Sequence, residues 1–296
     1  MPDDVLRIAQ LNAGSLLEPR WDERRHEIVA WLGQLLPDVV CLQEVWEDEH
    51  TQNTAGWIVE HTLEPTYHWV FGGASFGEHL WADRSLLFGS AVLSRWPIDD
   101  HAHHRLPTLP GDDPVVVGVP WELLHARTAG LDVFACHLAA PPMQGLHRQL
   151  QVVTIDEIVR AARRGRDDNP AFNTKRDGMP PILCGDFNAE PDSDEIRFLR
   201  GATALDGRTT YYQDAWQVAG DGPGRTQDWR INSIAASMNV PPKRIDYVFV
   251  GDGFQRRGSA GRVLSASLAF DTPLTGVVAS DHTGLVVDIV WPDRPR

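Results

Sequence analysis

The sequence predicts a sheet protein of the α/β or α+β class, on two observations. Short apolar or alternating runs recur along all 296 residues, the pattern of buried and half-buried strands. Helical periodicity is confined to a few stretches between them, so strands outnumber helices. The length suits one large domain or about two ordinary ones.

The elements follow in order. Residues 5–12, "VLRIAQLN", alternate and read as a strand ending on Asn12. Trp21, Ile28, Leu32 and Leu35 then fall at helical spacing, and Pro37 stops that helix. "DVVCLQE" (38–44) is a second, buried strand ending on Glu44, and "SAVLSRWPI" (90–98) is a third, closed by Pro97. "DVFACHL" (132–138) carries His137 at its end. Residues 145–165 form a helix whose Leu146, Leu150, Val153, Ile158 and Ala161 mark one face, with Gly165 placed as a C-terminal cap. "PPILCGDFN" is a strand that stops on Asp186 and Asn188, and alternation puts those two on one side. A short helix follows with Asp192 or Ser193 as its N-cap. "KRIDYVFV" (243–250), "SASLAF" (265–270) and "GLVVDIVW" (284–291) are the last strands. Residues 99–114 and 166–181 read as surface loops.

The net charge of -14 repels a polyanion at long range unless a local basic patch offsets it. Cys41, Cys136 and Cys184 lie inside apolar runs without C-x-x-C spacing, so buried free thiols in a reducing compartment are expected. The start "MPDDVLRIAQLN" has neither the basic nor the apolar region of a secretory signal. No apolar run nears the ~20 residues that span a bilayer. The expectation is a cytoplasmic protein that does not insert into membranes.

The polar strand ends form a set. Asn12, Glu44, His137, Asp186, Asn188 and Asp246 belong to it, and Asp281 and His282 stand just before the last strand. One polar strand end is usually a solvated turn. Repeated placement of residues that bind metals or move protons implies strands converging on one pocket. Its chemistry fits phosphoester hydrolysis. Glu44 and Asp281 are hard oxygen ligands suited to Mg²⁺ or Mn²⁺, and such a metal polarises a phosphoryl oxygen. Asp186 or His282 can serve as acid or base. Asn12 and Asn188 can donate to phosphate oxygens, and Asp246 is the candidate partner that fixes the His282 tautomer.

At these residues the sequence resembles the endonuclease/exonuclease/phosphatase superfamily with its DNase I-like fold. The matching pieces are "QLN", "LQE", "GSAVLSRWPI", "CHL", "HRQLQ", "GDFN", "RIDYVFV" and "SDH", in the family's order from residue 12 to residue 282. The resemblance implies a four-layer αββα sandwich, with two central, mostly antiparallel sheets flanked by helices. A site drawn from both ends of the chain makes residues 1–296 a single domain. It also implies hydrolysis by water with Mg²⁺ (or Mn²⁺). Glu44 takes the place of the main metal ligand, with Asn12 and Asp281 near it. Asp186 and Asn188 hold the attacking water and phosphate. His137 contacts the phosphate or protonates the leaving group, and Asp246 and His282 form an orienting dyad. The general base stays open between Asp186 and His282. Arg148 matches a family helix position and Thr226 and Asn232 a family loop, which makes them substrate-binding candidates. A polar helix face explains Arg148 equally well.

The remaining features have simpler accounts. His101, His103 and His104 read as solvated loop histidines rather than a second metal site. "RAARRGR" complements a helix dipole as well as it would bind nucleic acid. Trp81 and Trp96 read as core. The expected partner is a phosphodiester substrate, nuclease-like first, met by a monomeric enzyme. A small soluble phosphorylated metabolite or lipid head group is the alternative, and a non-catalytic binding protein on the same fold is a third reading.

Overall fold

The computed structural model describes residues 4–14, 18–48, 52–83, 85–109, 114–164, 175–239 and 241–295. In chain order the strands are β1 (Val5–Asn12), β2 (Val39–Glu47), β3 (His68–Ser75), β4 (Leu87–Ser94), β5 (Ile98–Arg105), β6 (Glu122–Thr128), β7 (Leu131–His137), β8 (Ile182–Asp186), β9 (Tyr212–Asp214), β10 (Asp246–Gly251), β11 (Val263–Ala269) and β12 (Gly284–Val290). The helices are α1 (Trp21–Leu35), α2 (Thr54–His61), α3 (Pro114–Gly118), α4 (Gly145–Ala162), α5 (Asp194–Leu199), α6 (Ala215–Ala219) and α7 (Ser233–Ser237). One sheet has the order β11-β12-β1-β2-β4-β3 and the other β5-β6-β7-β8-β10-β9. Each sheet is antiparallel except for one central parallel pair, β1 with β2 and β7 with β8.

Three apolar layers follow from strand alternation. Leu6, Ile8, Val39, Cys41 and Val92 of the first sheet meet Val133, Ala135, Ile182, Cys184 and Val248 of the second between the sheets. Leu11, Val40, Leu42 and Leu93 point the other way, onto Ile28 and Leu32 of α1 and Ile58 of α2. Phe134, Leu183 and Phe249 pack outward against Val152 and Ile155 of α4 and Ile196 of α5. Strands buried on both faces explain the unbroken apolar runs in the sequence. The outcome is the expected αββα sandwich. Among the described residues no helix is long and apolar enough to cross a membrane.

The same alternation builds the site. Inward positions run apolar and then turn polar at one end. On β1 they are Leu6, Ile8, Gln10 and Asn12; on β7 Val133, Ala135 and His137; on β8 Ile182, Cys184 and Asp186. On antiparallel β10 the order reverses, and Asp246 comes first. Register then sets His137 and Asp246 on either side of Asp186.

Several expectations change. Residues 99–114 are not all loop: 98–105 form β5, an edge strand whose exposed charges and histidines give no apolar face to read. β4 ends at Ser94, so 90–98 is a strand end and a turn into β5. β2 does not stop at Glu44; a bulge between Leu42 and Val45 puts Glu44 at φ 55 before pairing resumes. "KRIDYVFV" becomes a strand only from Asp246. Ser193 is the N-cap of α5. Gly165 and much of the 166–181 loop lie outside the described residues.

Candidate active site

Gly185 explains the motif that Asp186 ends. A Cβ at Gly185 would lie 2.1 Å from the Cys136 carbonyl oxygen, so only glycine lets β8 approach β7 this closely. Asp186 then enters the gap between the sheets 1% exposed. Its Oδ1 accepts from the Asn188 backbone N–H at 2.8 Å. Asn188 itself has turned past the strand end at φ 48. Alternation therefore does not place Asn188; an aspartate-anchored turn does. Its side-chain amide donates to Leu138 O at 3.0 Å, tying the ends of β7 and β8 together.

Asn12 links the first sheet to the second. Its Nδ2 donates to Glu44 Oε1 and to Asp186 Oδ2, both at 3.0 Å. Its Oδ1 accepts from Gly14 N at 3.0 Å, which fixes the amide orientation. Asn12 thus presents nitrogen, not oxygen, to the carboxylates, and it orders them rather than offering a metal ligand. Glu44 is half-buried by surface area. Protein nonetheless surrounds its carboxyl closely enough that burial, reinforced by Asp281, pushes its pKa up to about 8.

Asp246 and His282 meet as expected, with His282 Nδ1 2.8 Å from Asp246 Oδ2. Thr226 accepts from the Ile245 and Asp246 backbone N–H groups and so holds the start of β10. His282 Nε2 lies 3.6 Å from Asp281 Oδ2 and 3.8 Å from Asp186 Oδ2. Burial opposes a charged imidazole, but Asp246, Asp281 and Asp186 outweigh it and raise the His282 pKa well above its ordinary value. The Gln227 amide nitrogen donates to Asp281 Oδ2 at 2.9 Å and sits 3.0 Å from His282 Nε2. A proton at Nε2 makes Gln227 give way, so this amide opposes the carboxylates. The "SDH" turn is anchored by Ser280, whose hydroxyl donates to Asn12 O at 2.7 Å and accepts from His282 N at 3.1 Å.

His137 closes the other side, its Nε2 3.6 Å from Asp186 Oδ2. Trp121 and Phe88 flank its ring at 5.2 Å and 6.0 Å. Burial holds its pKa below the ordinary value. Its Nδ1 is buried with no bonded partner among the described groups, a polar atom left for water or a ligand.

Two of the substrate-binding candidates make structural bonds, Arg148 away from this cluster and Asn232 at the turn that carries Asp281 and His282. Arg148 is buried, bonding Glu195 and the carbonyls of Ala139, Pro141 and Pro142, so its guanidinium braces the turn after β7. Asn232 caps α7 through Ile234 N and Ala235 N and donates to Ser280 O. The Thr226 side chain touches the dyad at Asp246, through its backbone N–H and its carboxylate. The glutamines were missed. Gln10 and Gln43 hydrogen-bond to each other on inward positions below the site, and their inward phase in "QLN" and "LQE" was the available signal. A cavity of about 880 Å³ opens at the opposite end of the second sheet, beside Pro181 and Gly251. Four of its arginines, Arg160, Arg163, Arg176 and Arg208, are already paired with acids.

The donor set fits a hard divalent cation. Asp186, Asp246 and His282 each offer an atom within 4.8 Å of the others. Glu44 and Asp281 add carboxylates, and burial together with the Asp281 charge raises the Glu44 pKa. Arg24, the deeply buried cation nearby, directs its guanidinium at the carbonyls of Ala13, Gly14 and Ala279. A buried group of four carboxylates facing two imidazoles carries surplus negative charge, which a cation among Glu44, Asp281 and Asp186 would neutralise.

Comparison with known proteins bears on the family and the fold. The model of the Endonuclease/Exonuclease/phosphatase family matches residues 9–282. Among solved structures, an endonuclease/exonuclease/phosphatase from Beutenbergia cavernae superposes with a TM-score of 0.67 at 20% identity, covering 99% of this chain and 73% of that one. TDP2 of D. rerio, complexed with a single-strand DNA product, gives 0.67 at 19% identity over 96% of this chain and 98% of that one. The human Nocturnin catalytic domain with a bound sulfate gives 0.62 at 19% identity over 97% and 94%. These likenesses show the fold. No curated protein matches the sequence. With the family model reaching from β1 to His282, the chain belongs to the endonuclease/exonuclease/phosphatase family and is a hydrolase of phosphoester bonds.

Proposed function

We propose that the protein is a Mg²⁺-dependent phosphodiester hydrolase with nuclease-like specificity, acting as one domain over residues 1–296. The observation that carries this reading is the convergence of Asn12, Glu44, His137, Asp186, Asp246, Asp281 and His282 at one end of the gap between the sheets. The TDP2 relative holds a DNA product and the Nocturnin relative a sulfate; both favour a phosphate-bearing ligand at this site.

In the proposed mechanism Glu44, Asp281 and Asp186 would hold the cation. Bound there, it would polarise a phosphoryl oxygen and neutralise charge on the leaving oxygen. Asp186 Oδ2, hydrogen-bonded by Asn12 and set between His137 and His282, takes the proton of the attacking water. His282, kept charged by Asp246, donates from Nε2 to a phosphate oxygen as Gln227 moves aside. His137 stands on the opposite side of Asp186, placed to contact the phosphate or the leaving group. Asn188 holds the turn that aims Asp186.

The test is turnover of a chromogenic phosphodiester and its monoester, with Mg²⁺ and with chelator, followed by plasmid DNA, RNA, phospholipid and nucleotide substrates. Chelator-sensitive diester cleavage with a nucleic acid as best substrate supports the reading. Monoester or metabolite preference replaces it with the small-substrate alternative, and full activity in excess chelator removes the metal.

A further inference from the structure

The His137 side of the site is walled by aromatic rings, and the outermost is not core. Trp81 is 43% exposed. It stands in the loop between β3 and β4, at the same end of the first sheet as Asn12 and Glu44. Its ring meets Trp46 edge-on at 6.0 Å and Phe76 at a tilt at 6.2 Å. Trp46 in turn meets Phe88 at 5.2 Å, and Phe88 meets His137 at 6.0 Å. A continuous run of rings thus leads from the site to Trp81. Two buried polar atoms along it, His137 Nδ1 and Trp46 Nε1, bond to no described group.

The loop carrying Trp81 is clamped. Trp81 N donates to Gly77 O at 3.1 Å and Gly77 N to Gly118 O at 2.7 Å. His79 Nε2 bonds Pro114 O at 2.7 Å. A Cβ at Gly118, the last residue of α3, would lie 2.5 Å from Leu80 Cδ1, so side chains of the Trp81 loop pack directly on the end of that helix. Trp81 is thus part-packed against two rings and part-exposed, on a loop whose backbone is tied down before any ligand arrives. Stacking on it then costs little ordering entropy.

We propose that Trp81 is a base-stacking platform: a nucleobase carried by the phosphodiester substrate lies on the exposed part of its ring, on the His137 side of the reacting phosphate. This rests on the diester-hydrolase reading and narrows it to substrates bearing a nucleobase beside the scissile bond. A π-face accepts any base, so the platform selects for bases without selecting among them.

The experiment compares wild type, Trp81→Ala and Trp81→Phe on three substrates with Mg²⁺. These are thymidylyl-thymidine and its two analogues lacking the base on the 5′ or the 3′ nucleoside. Trp81→Ala is expected to lower kcat/KM on the full dinucleotide roughly 5- to 150-fold, the range for losing one base–aromatic stack, mostly through KM. It should change little on one of the two abasic analogues, and Trp81→Phe should retain most of the wild-type preference. Phenylalanine also keeps a ring on Trp46 and Phe76, so it preserves the test if alanine collapses the loop. Equal losses on all three substrates, or none, overturn the platform while leaving the hydrolase reading intact. A wild type that cleaves the chromogenic diester but none of the three overturns the platform alone; one that cleaves neither fails the diester reading itself, and the platform falls with it.

Discussion

Removing the charge of Glu44 should stabilise the metal-free protein, and only at high pH. Burial and Asp281 raise this carboxyl from 4.5 to about 8. A group whose folded pKa is raised favours the folded state while neutral. That advantage is complete below its unfolded value of 4.5 and is lost as pH climbs through about 8. At about 1.4 kcal/mol per unit, the full shift opposes ionisation by on the order of 5 kcal/mol. Glu44 is half-buried, so solvent screens the charge and ~2 kcal/mol is the figure to expect. Glu44→Gln keeps the shape and an oxygen for Asn12 Nδ2. Its melting temperature in chelator should match wild type near about pH 5 and exceed it by roughly 4 °C near about pH 9. Added Mg²⁺ should raise wild type at high pH and leave the variant nearly unmoved, because the ion needs the carboxylate. Thermal melts across that pH range, with and without Mg²⁺, measure both effects. A gap that does not change with pH, or equal responses to Mg²⁺, would refute the reasoning.

Asp246→Asn should lower kcat on the order of 10²–10⁴-fold with a smaller change in KM, and His282→Ala should cost about as much. Their double variant should lose little more than either alone, as for groups acting together; losses that multiply would make Asp246 a structural residue. Arg148→Met should cost stability by about 3 kcal/mol, because Glu195 and three carbonyls are left buried without their donor. KM for whichever phosphodiester is cleaved should stay within about twofold; a large rise in KM without loss of stability would return Arg148 to the substrate.

What the sequence revealed of the site depended on whether backbone geometry followed its period. His137, Asp186 and Asn12 extend the inward phase of apolar strands, so counting by two from Val133, Ile182 or Leu6 reaches each of them. Glu44 breaks phase through a bulge that no residue preference announces, yet its carboxylate identity still marked it. Asn188 is placed by a turn on Asp186 rather than by the alternation the sequence suggested. β5 was read as loop because an edge strand with both faces wet has no apolar period. Arg148 and Asn232 sat in matching positions, but a long polar side chain on a helix or at its cap can turn inward to brace backbone. Only coordinates show which carbonyls it meets. Gln227 was passed over beside Thr226 because an uncharged amide gives no chemical signal until it is found between Asp281 and His282.

The site also explains why two sheets are needed. Asn12 and Glu44 come from the first sheet, and Asp281 and His282 from the turn that enters its β12. His137, Asp186 and Asp246 belong to the second. Contact between the halves runs through Asn12 Nδ2 to Asp186 and His282 Nδ1 to Asp246. Both bonds form only when the apolar faces beneath them have packed. Hydrophobic burial between the sheets therefore brings together carboxylates that would separate if left to their own repulsion. The closest of those groups lie where the apolar layer ends, so the price of crowding like charges falls at the open end rather than in the core. A cation entering there would bind charges already gathered by packing, with little further ordering of the chain. The same reasoning accounts for the aromatic wall. Beyond His137 the space between the sheets is filled by rings rather than charges, and a phosphodiester spanning the site would meet carboxylates and imidazoles at its phosphorus and Trp81 at its base.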